Sequence, residues 1–238
     1  MDALDKPRVA NLKGKTNLVT ETDHLSEKTI KSIIRGSFPD HSFLAEESGQ
    51  DLSKSDYLWI IDPLDGTTNF VHGYPSFAVS IALYYKNEPQ VAVIIEMPNT
   101  KIYSAIKGEG VWCEGQPVSC SESDSLEKSL LVTGFGYEHG ELWEENMRLY
   151  KHFTDTTQGV RRLGAAAVDL CHVASGKVDG FWEFDLQPWD TAAGILIAQE
   201  AGCLVTQMNG SDYSIYDNNI LVTNPKIHIE MVKNIEDV

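Results

Sequence analysis

The sequence predicts a mixed α/β protein in two halves that meet near residue 115, and three features of its 238 residues point that way. Apolar side chains alternate over Phe77, Val79, Ile81 and Leu83, the period of a strand. After the middle of the chain the rhythm changes to strand-like and helix-like runs in turn. Short apolar runs also stop abruptly at carboxylates, at Glu46 and at Asp62.

The elements follow in order. Residues 22–35 read as a helix, with Leu25, Ile30, Ile33 and Ile34 as its apolar positions and Gly36 as its stop. Residues 43–48 read as a short strand ending in Glu46 and Glu47. Residues 58–61 are an apolar run rich in β-formers, a buried strand whose end carries Asp62. Pro63 has a fixed φ and no N–H, so it is expected to stop the ladder and release Asp62 at a defined angle. Asp65 follows within a tight turn, and Gly66, Thr67 and Thr68 open a short helix. Strands at 77–83, 90–96 and 101–106 across short turns predict an antiparallel meander. The second half reads as strand 130–133, helix 141–153, helix 165–174, strand 180–184, helix 190–201, strands 203–207 and 220–223, and a last helix opened by Asn224 and Pro225. Periodicity thus divides the chain into 1–115, with the acidic loop, and 116–238, with Glu183 and Trp189-Asp190.

The chemistry lies in the carboxylates. Two of them about 4 Å apart repel by roughly 4 kcal/mol at an effective dielectric near 20, so a fold that gathers several must protonate them or supply a cation. Oxygen-only donors favour a hard ion, and Mg²⁺ suits a site that shares its oxygens with a phosphate. Backbone N–H groups at Gly66 and Thr67 suit an anionic oxygen. Each piece also has a plainer reading: Asp62 and Asp65 as turn caps, Glu47 as a solvated charge, Asp190 as an N-cap.

Taken in order, the pieces resemble the inositol monophosphatase family of Mg²⁺-dependent, lithium-sensitive phosphatases. They are Leu18-Val19-Thr20-Glu21-Thr22-Asp23, Glu46-Glu47, Asp62-Pro63-Leu64-Asp65-Gly66-Thr67-Thr68-Asn69-Phe70, Gly164-Ala165-Ala166-Ala167, Glu183, and Trp189-Asp190-Thr191-Ala192-Ala193-Gly194. The likeness covers nearly the whole chain. Gly134-Phe135-Gly136-Tyr137-Glu138-His139 and Arg161-Arg162-Leu163-Gly164 look most like its cyanobacterial and plastid branch.

The resemblance implies a layered α-β-α-β-α sandwich with the site between two sheets, a homodimer, and two to three Mg²⁺ ions. It assigns Glu46, Asp62 and the Leu64 carbonyl to one metal, Asp62, Asp65 and Asp190 to a second, and Glu46 through water to a third. It gives Thr67, oriented by Asp23, the attacking water, and the Gly66 and Thr67 amides the phosphate oxygens. Glu183 and the Gly164, Ala165, Ala166 loop would meet the alcohol half of the substrate, beside Asp190. The implied reaction is hydrolysis of inositol monophosphate to inositol and phosphate by metal-activated water. Related phosphatases for NADP, fructose bisphosphate, histidinol phosphate or an adenosine bisphosphate share these motifs, and a relative that binds phosphate without catalysis is the other class.

Three departures stand out. Ala45 replaces a glycine before the acidic pair, and Ala165 removes a hydroxyl that could meet a substrate hydroxyl. Only 22 residues precede Asp23, so most of the family's opening helix is missing and the loop bearing Lys13 or Lys15 is expected to be mobile.

Composition narrows the setting. With 42% hydrophobic residues the chain can bury a substantial core. No apolar run approaches the roughly 18 residues of a membrane span, and Met1 to Lys15 lacks a signal-peptide core. A net charge of -16 opposes binding to nucleic acid or anionic membranes. Cys113, Cys120, Cys171 and Cys203 form no C-x-x-C pair and read as reduced residues of a cytoplasmic-type compartment, or of the plastid stroma on the resemblance. His24, His72, His139, His152 and His172 lack metal-ligand spacing, Trp59, Trp112, Trp182 and Trp189 read as packing, and Asp185 as a turn or substrate contact.

Overall fold

A computed structural model of the chain describes residues 10–12, 18–51, 53 and 55–238, so Lys13 and Lys15 lie outside the described residues. Strands β1 (Ala10–Leu12) and β2 (Leu18–Thr20) pair antiparallel ahead of helix α1 (Glu21–Ser37). An eight-stranded sheet then forms from β3 (Ser42–Ala45), β4 (Gly49–Asp51), β5 (Tyr57–Asp65), β6 (Phe77–Tyr85), β7 (Glu88–Met97), β8 (Lys101–Ile106), β9 (Gly110–Cys113) and β10 (Gln116–Pro117). Its order is β10-β9-β8-β7-β6-β5-β3-β4. The expected meander is present, with β3 added parallel to β5 at its far side.

Two expectations for this half need correction, at Pro63 and in helix α1. Pro63 does not end the ladder. Asp62 pairs with Ser80 and Asp65 with Ala78, so β5 advances three residues while β6 advances two, and Pro63 sits in the resulting bulge, where its missing N–H costs nothing. In β6 the more deeply buried face is Ala78, Ser80, Ala82 and Tyr84, whereas Val79, Ile81 and Leu83 are half-buried. Small residues face inward because a helix packs closely there. Helix α1 runs through Gly36, and Leu25 (66% exposed) and Ile33 (70%) point to solvent while Asp23, Glu27 and Lys31 are buried.

The second sheet comprises β11 (Leu130–Thr133), β12 (Gly159–Arg161), β13 (Gly180–Phe184), β14 (Leu204–Thr206) and β15 (Asn219–Thr223), ordered β12-β11-β13-β15-β14. Helix α2 (Thr67–His72) belongs to the first half, and α3 (Glu141–Thr156), α4 (Ala166–Ala174), α5 (Pro188–Glu200) and α6 (His228–Glu236) to the second. Asn224 caps the turn at 226–227 through its side-chain oxygen, so α6 begins at His228, later than Asn224-Pro225 suggested.

Helices α4 and α5 form the middle layer. Their residues Ala167, Leu170, Ala193 and Ile197 share one core with Ala78, Ala82 and Ile94 of the first sheet and Phe181 and Val222 of the second. Gly194 makes this close approach possible, since a Cβ there would stand 2.3 Å from Leu170 Cδ1. Helix α1 covers the outer face of the first sheet through Ile30 and Ile34. Leu149 and Phe153 of α3 and Met231 of α6 cover the second sheet at Leu131, Trp182 and Leu221. The architecture is the α-β-α-β-α sandwich.

Candidate active site

Parallel pairing assembles the first part of the site. Ala45 lies opposite Ile61, so the residues that follow, Glu46 just past β3 and Asp62 within β5, stand side by side, and the Glu46 amide bonds to the Ile61 carbonyl at 3.2 Å. The bulge turns Asp65 toward the middle layer, where its Oδ2 accepts the Ala167 N–H at 2.7 Å. Asp190 arrives on the first turn of α5, as the third residue of a capping box rather than the N-cap: its Oδ2 accepts the Gln187 N–H at 2.7 Å. Asp62 Oδ1 accepts the Leu64 N–H at 3.0 Å.

These carboxylates share one electrostatic environment. Asp62 is buried, while Glu46, Asp65 and Asp190 keep part of their surface open. Loss of water raises the Asp62 pKa well above the carboxylate range, and the charges of Glu46, Asp65 and Asp190 raise it further. Asp65 is pushed up to about 7, by desolvation first and by Glu46 among its neighbours, against the pull of the Ala167 amide. Asp190 is raised by desolvation and by Asp65. Asp62, Asp65 and Asp190 each turn an oxygen to a backbone N–H, and among the described residues no three His, Cys, Asp or Glu side chains close into a metal cage. The donor set nevertheless fits a hard divalent ion: all oxygen, clustered, and disfavoured when ionised without a counter-charge.

Beside the acids, the Thr67 hydroxyl lies 3.1 Å from Asp23 Oδ1 and 3.0 Å from the Leu64 carbonyl. It has one proton for the two acceptors and lone pairs left over. Asp23 is fully buried and fixed by the Thr20 amide and hydroxyl at 2.9 and 2.5 Å. Gly66 opens α2 at φ 83°, and a Cβ there would meet Ser76 O at 3.0 Å, Ala165 Cβ at 3.1 Å and Gly164 O at 3.2 Å. Only glycine satisfies both demands.

The Gly164 to Ala166 loop therefore lies against Gly66. Ala165 is buried (2%) with its methyl toward Gly66, so this position brings backbone to the site rather than the side chain considered above. Glu183, at 6% exposure, has its pKa raised by burial, Asp190 and Asp65. A Cβ at Gly134 would fall 2.3 Å from its carboxylate oxygens, so the Gly134 backbone forms one wall of the Glu183 niche.

Four features around the site escaped the sequence reading. Asn69 Nδ2 lies within hydrogen-bond distance of the carbonyls of Ser76 (2.6 Å), Leu163 (2.7 Å) and Gly164 (3.3 Å), tying α2 to the loop; its place in the quoted motif was the available signal. The first turn of α4 holds Asp65. Glu27 Oε2 accepts the Glu47 amide at 2.9 Å, and Lys31 donates to Ser48 at 2.8 Å, so α1 fixes the loop that carries Glu46. Asp169 is wholly buried with both oxygens unpartnered, and burial with the Glu183 charge pushes it toward its neutral form.

A family model described as the inositol monophosphatase family matches residues 1–238. The chain belongs to the inositol monophosphatase family. It is 50% identical over 242 residues to "Phosphatase IMPL1, chloroplastic" of Arabidopsis thaliana, covering 99% of this chain but 65% of that protein, so it spans about two thirds of that relative's length. It is 40% identical over 222 residues to "Putative Nus factor SuhB" of Neisseria meningitidis serogroup B, covering 93% of this chain and 85% of that one. The solved inositol monophosphatase of Anabaena superposes with a TM-score of 0.85 at 43% identity, covering 91% of this chain and 86% of that one. Membership bears out the resemblance and the layered fold.

Proposed function

We propose that this protein is a Mg²⁺-dependent phosphomonoesterase that hydrolyses inositol monophosphate to inositol and phosphate. The observation that carries the reading is the group of carboxylates Glu46, Asp62, Asp65 and Asp190, whose mutual repulsion calls for a cation, beside the hydroxyl of Thr67. Glu46, Asp62 and the Leu64 carbonyl would hold one Mg²⁺ ion and Asp62, Asp65 and Asp190 a second, with Glu46 reaching a third through water. Metal held by these residues would supply neutralisation of phosphate charge and a lowered pKa for a water at the site.

The chain's own residues supply the rest. Thr67 donates its proton to Asp23 or Leu64 and presents a lone pair to a water, orienting it toward phosphorus. The Gly66 and Thr67 amides at the start of α2 receive phosphate oxygens, whose charge grows as the ester bond breaks. Water oxygen bonds to phosphorus, the ester P–O bond breaks on the opposite side, and the departing alcohol takes up a proton. Glu183 and the 164–166 loop face the alcohol half. A homodimer, a cytoplasmic or plastid-stroma setting, and the absence of nucleic-acid and membrane partners belong to the same reading; the net charge of -16 opposes nucleic acid and anionic membranes, and no described helix is long and apolar enough to cross a membrane.

Phosphate release from inositol, sugar, nucleotide and histidinol phosphates, with Mg²⁺ and with excess chelator, tests the proposal. Mg²⁺-dependent turnover greatest on inositol monophosphate is expected. Undiminished turnover in chelator would sink the metal assignment, and preference for another ester would move the protein to one of the related phosphatases.

A further inference from the structure

The cysteines have no part in the chemistry above, and two of them are brought together by the fold. Cys120 lies in the segment between β10 and β11 that joins the two sheets, and Cys203 follows the turn that ends α5. The Cys120 amide donates to the Ala201 carbonyl at 3.0 Å, and a Cβ on Gly202 would stand 3.8 Å from Cys120 Sγ, so this sulfur rests on the backbone immediately before Cys203. The Cys203 amide donates to the Ala198 carbonyl at 3.0 Å, which anchors it to α5. On the far side, a Cβ on Gly176 would meet Ser119 O and Ser121 N at 3.3 Å. The segment bearing Cys120 is therefore clamped between the turn after α4 and the end of α5.

The two thiols are free in this structure and differ in setting. Cys203 is buried at 6% exposure, while Cys120 is half-buried at the margin of the same core. A hydrogen bond from Cys203 holds the Cys120 thiol below the usual range, at about 7, and the same bond together with burial raises Cys203. The more accessible sulfur is thus the one richer in thiolate, the reactive form. We propose that Cys120 is a redox-modification site and Cys203 its resolving partner, the pair closing into an intramolecular disulfide by exchange with a small-molecule disulfide. The Cys120 thiolate attacks one sulfur of the incoming disulfide, whose S–S bond breaks; one thiolate leaves and takes up a proton. Cys203 then gives up its proton and attacks Cys120 Sγ, forming the internal S–S bond and expelling the second thiolate, which is protonated in turn. Two protein sulfurs are oxidised and the incoming disulfide is reduced to two thiols. The bridge ties the end of α5, whose first turn carries Asp190, to the segment joining the two halves. It closes a loop of roughly 80 residues, a length at which a cross-link stabilises by restricting the unfolded chain. Nothing in this inference depends on the phosphomonoesterase reading.

The test incubates reduced wild type, Cys120→Ser and Cys203→Ala with excess oxidised glutathione and follows intact mass, peptide maps and melting curves, before and after dithiothreitol. Wild type should lose two hydrogens in mass, with the peptides of Cys120 and Cys203 joined. Its melting midpoint should rise by about 5 °C and return on reduction. Cys203→Ala, lacking the resolving thiol, should stop one glutathione heavier at Cys120, and Cys120→Ser should form no bridge. Iodoacetamide on reduced wild type at neutral pH, which needs no substitution, should label Cys120 ahead of Cys113, Cys171 and Cys203. Wild type that keeps all its thiols free, a bridge through Cys113 or Cys171, glutathione retained on wild-type Cys120, or a midpoint that does not rise would each overturn the inference.

Discussion

Oδ2 of Asp65 accepts the backbone N–H of Ala167 at 2.7 Å, a bond between residues 102 positions apart. It joins the acidic loop of the first half to the first turn of α4, and it tempers but does not cancel the cost of charging Asp65.

That balance predicts a pH dependence. The folded pKa of Asp65 is raised from 3.8 to about 7, so folding favours its neutral form. The contribution is fully present below the unfolded value and is lost as pH rises through about 7. In chelator, the melting midpoint should therefore fall between pH 5 and pH 8, by a few degrees on the order of one to two kcal/mol. Added Mg²⁺ should recover more stability at pH 8 than at pH 5. A Mg²⁺ increment independent of pH would remove the shared-charge account.

Asp190→Asn separates holding a metal from holding the helix. The asparagine carbonyl can still accept the Gln187 N–H, so the melting midpoint should move by only about 2 °C. Turnover should drop by roughly a hundredfold or more, with weaker Mg²⁺ activation. Near-normal kinetics would return Asp190 to a purely capping role.

Glu183→Gln should act on the substrate rather than on the fold. Burial and its acidic neighbours already favour the neutral form of this side chain, so glutamine is a close replacement in the niche beside Gly134. KM for inositol monophosphate should rise roughly tenfold, while Mg²⁺ dependence and turnover of a small aryl phosphate change little. Equal losses on both substrates would count against a specificity role.

Asn69→Ala removes a donor within reach of three carbonyls. A loss of about 2 kcal/mol in stability is expected from unfolding in denaturant. KM should increase more than kcat falls, because the loosened segment is the 164–166 loop rather than the carboxylates. Unaltered KM with full stability would show that α2 and the loop hold their places without it.

Much of this was legible because local pattern and tertiary demand agreed. Strands 130–133 and 180–184 begin and end as read from apolar runs and glycines. The acidic residues were readable because strands that end in carboxylates have few structural reasons to do so. Helix α1 shows where pattern misleads. Its core-facing side includes Asp23, Glu27 and Lys31, each satisfied by a distant partner, and hydrophobic periodicity cannot register a buried charge whose partner lies elsewhere in sequence. The Pro63 bulge was hidden for a related reason: proline forbids a ladder bond, yet a bulge needs none. The packing of Ala165 against Gly66 could not be read from sequence, because the two lie about 100 positions apart.

The ends of the eight-stranded sheet bear on how copies of this molecule can meet. At one margin β10 has two residues, one of them Pro117, which has no N–H to offer; at the other β4 has three, with Asp51 engaged by Arg35. A foreign strand would find no extended row of backbone groups to copy. Fibril-like growth from this sheet would require an inner strand to be uncovered first, and any orderly pairing of two folded copies through it must be written in side chains rather than in shared strands.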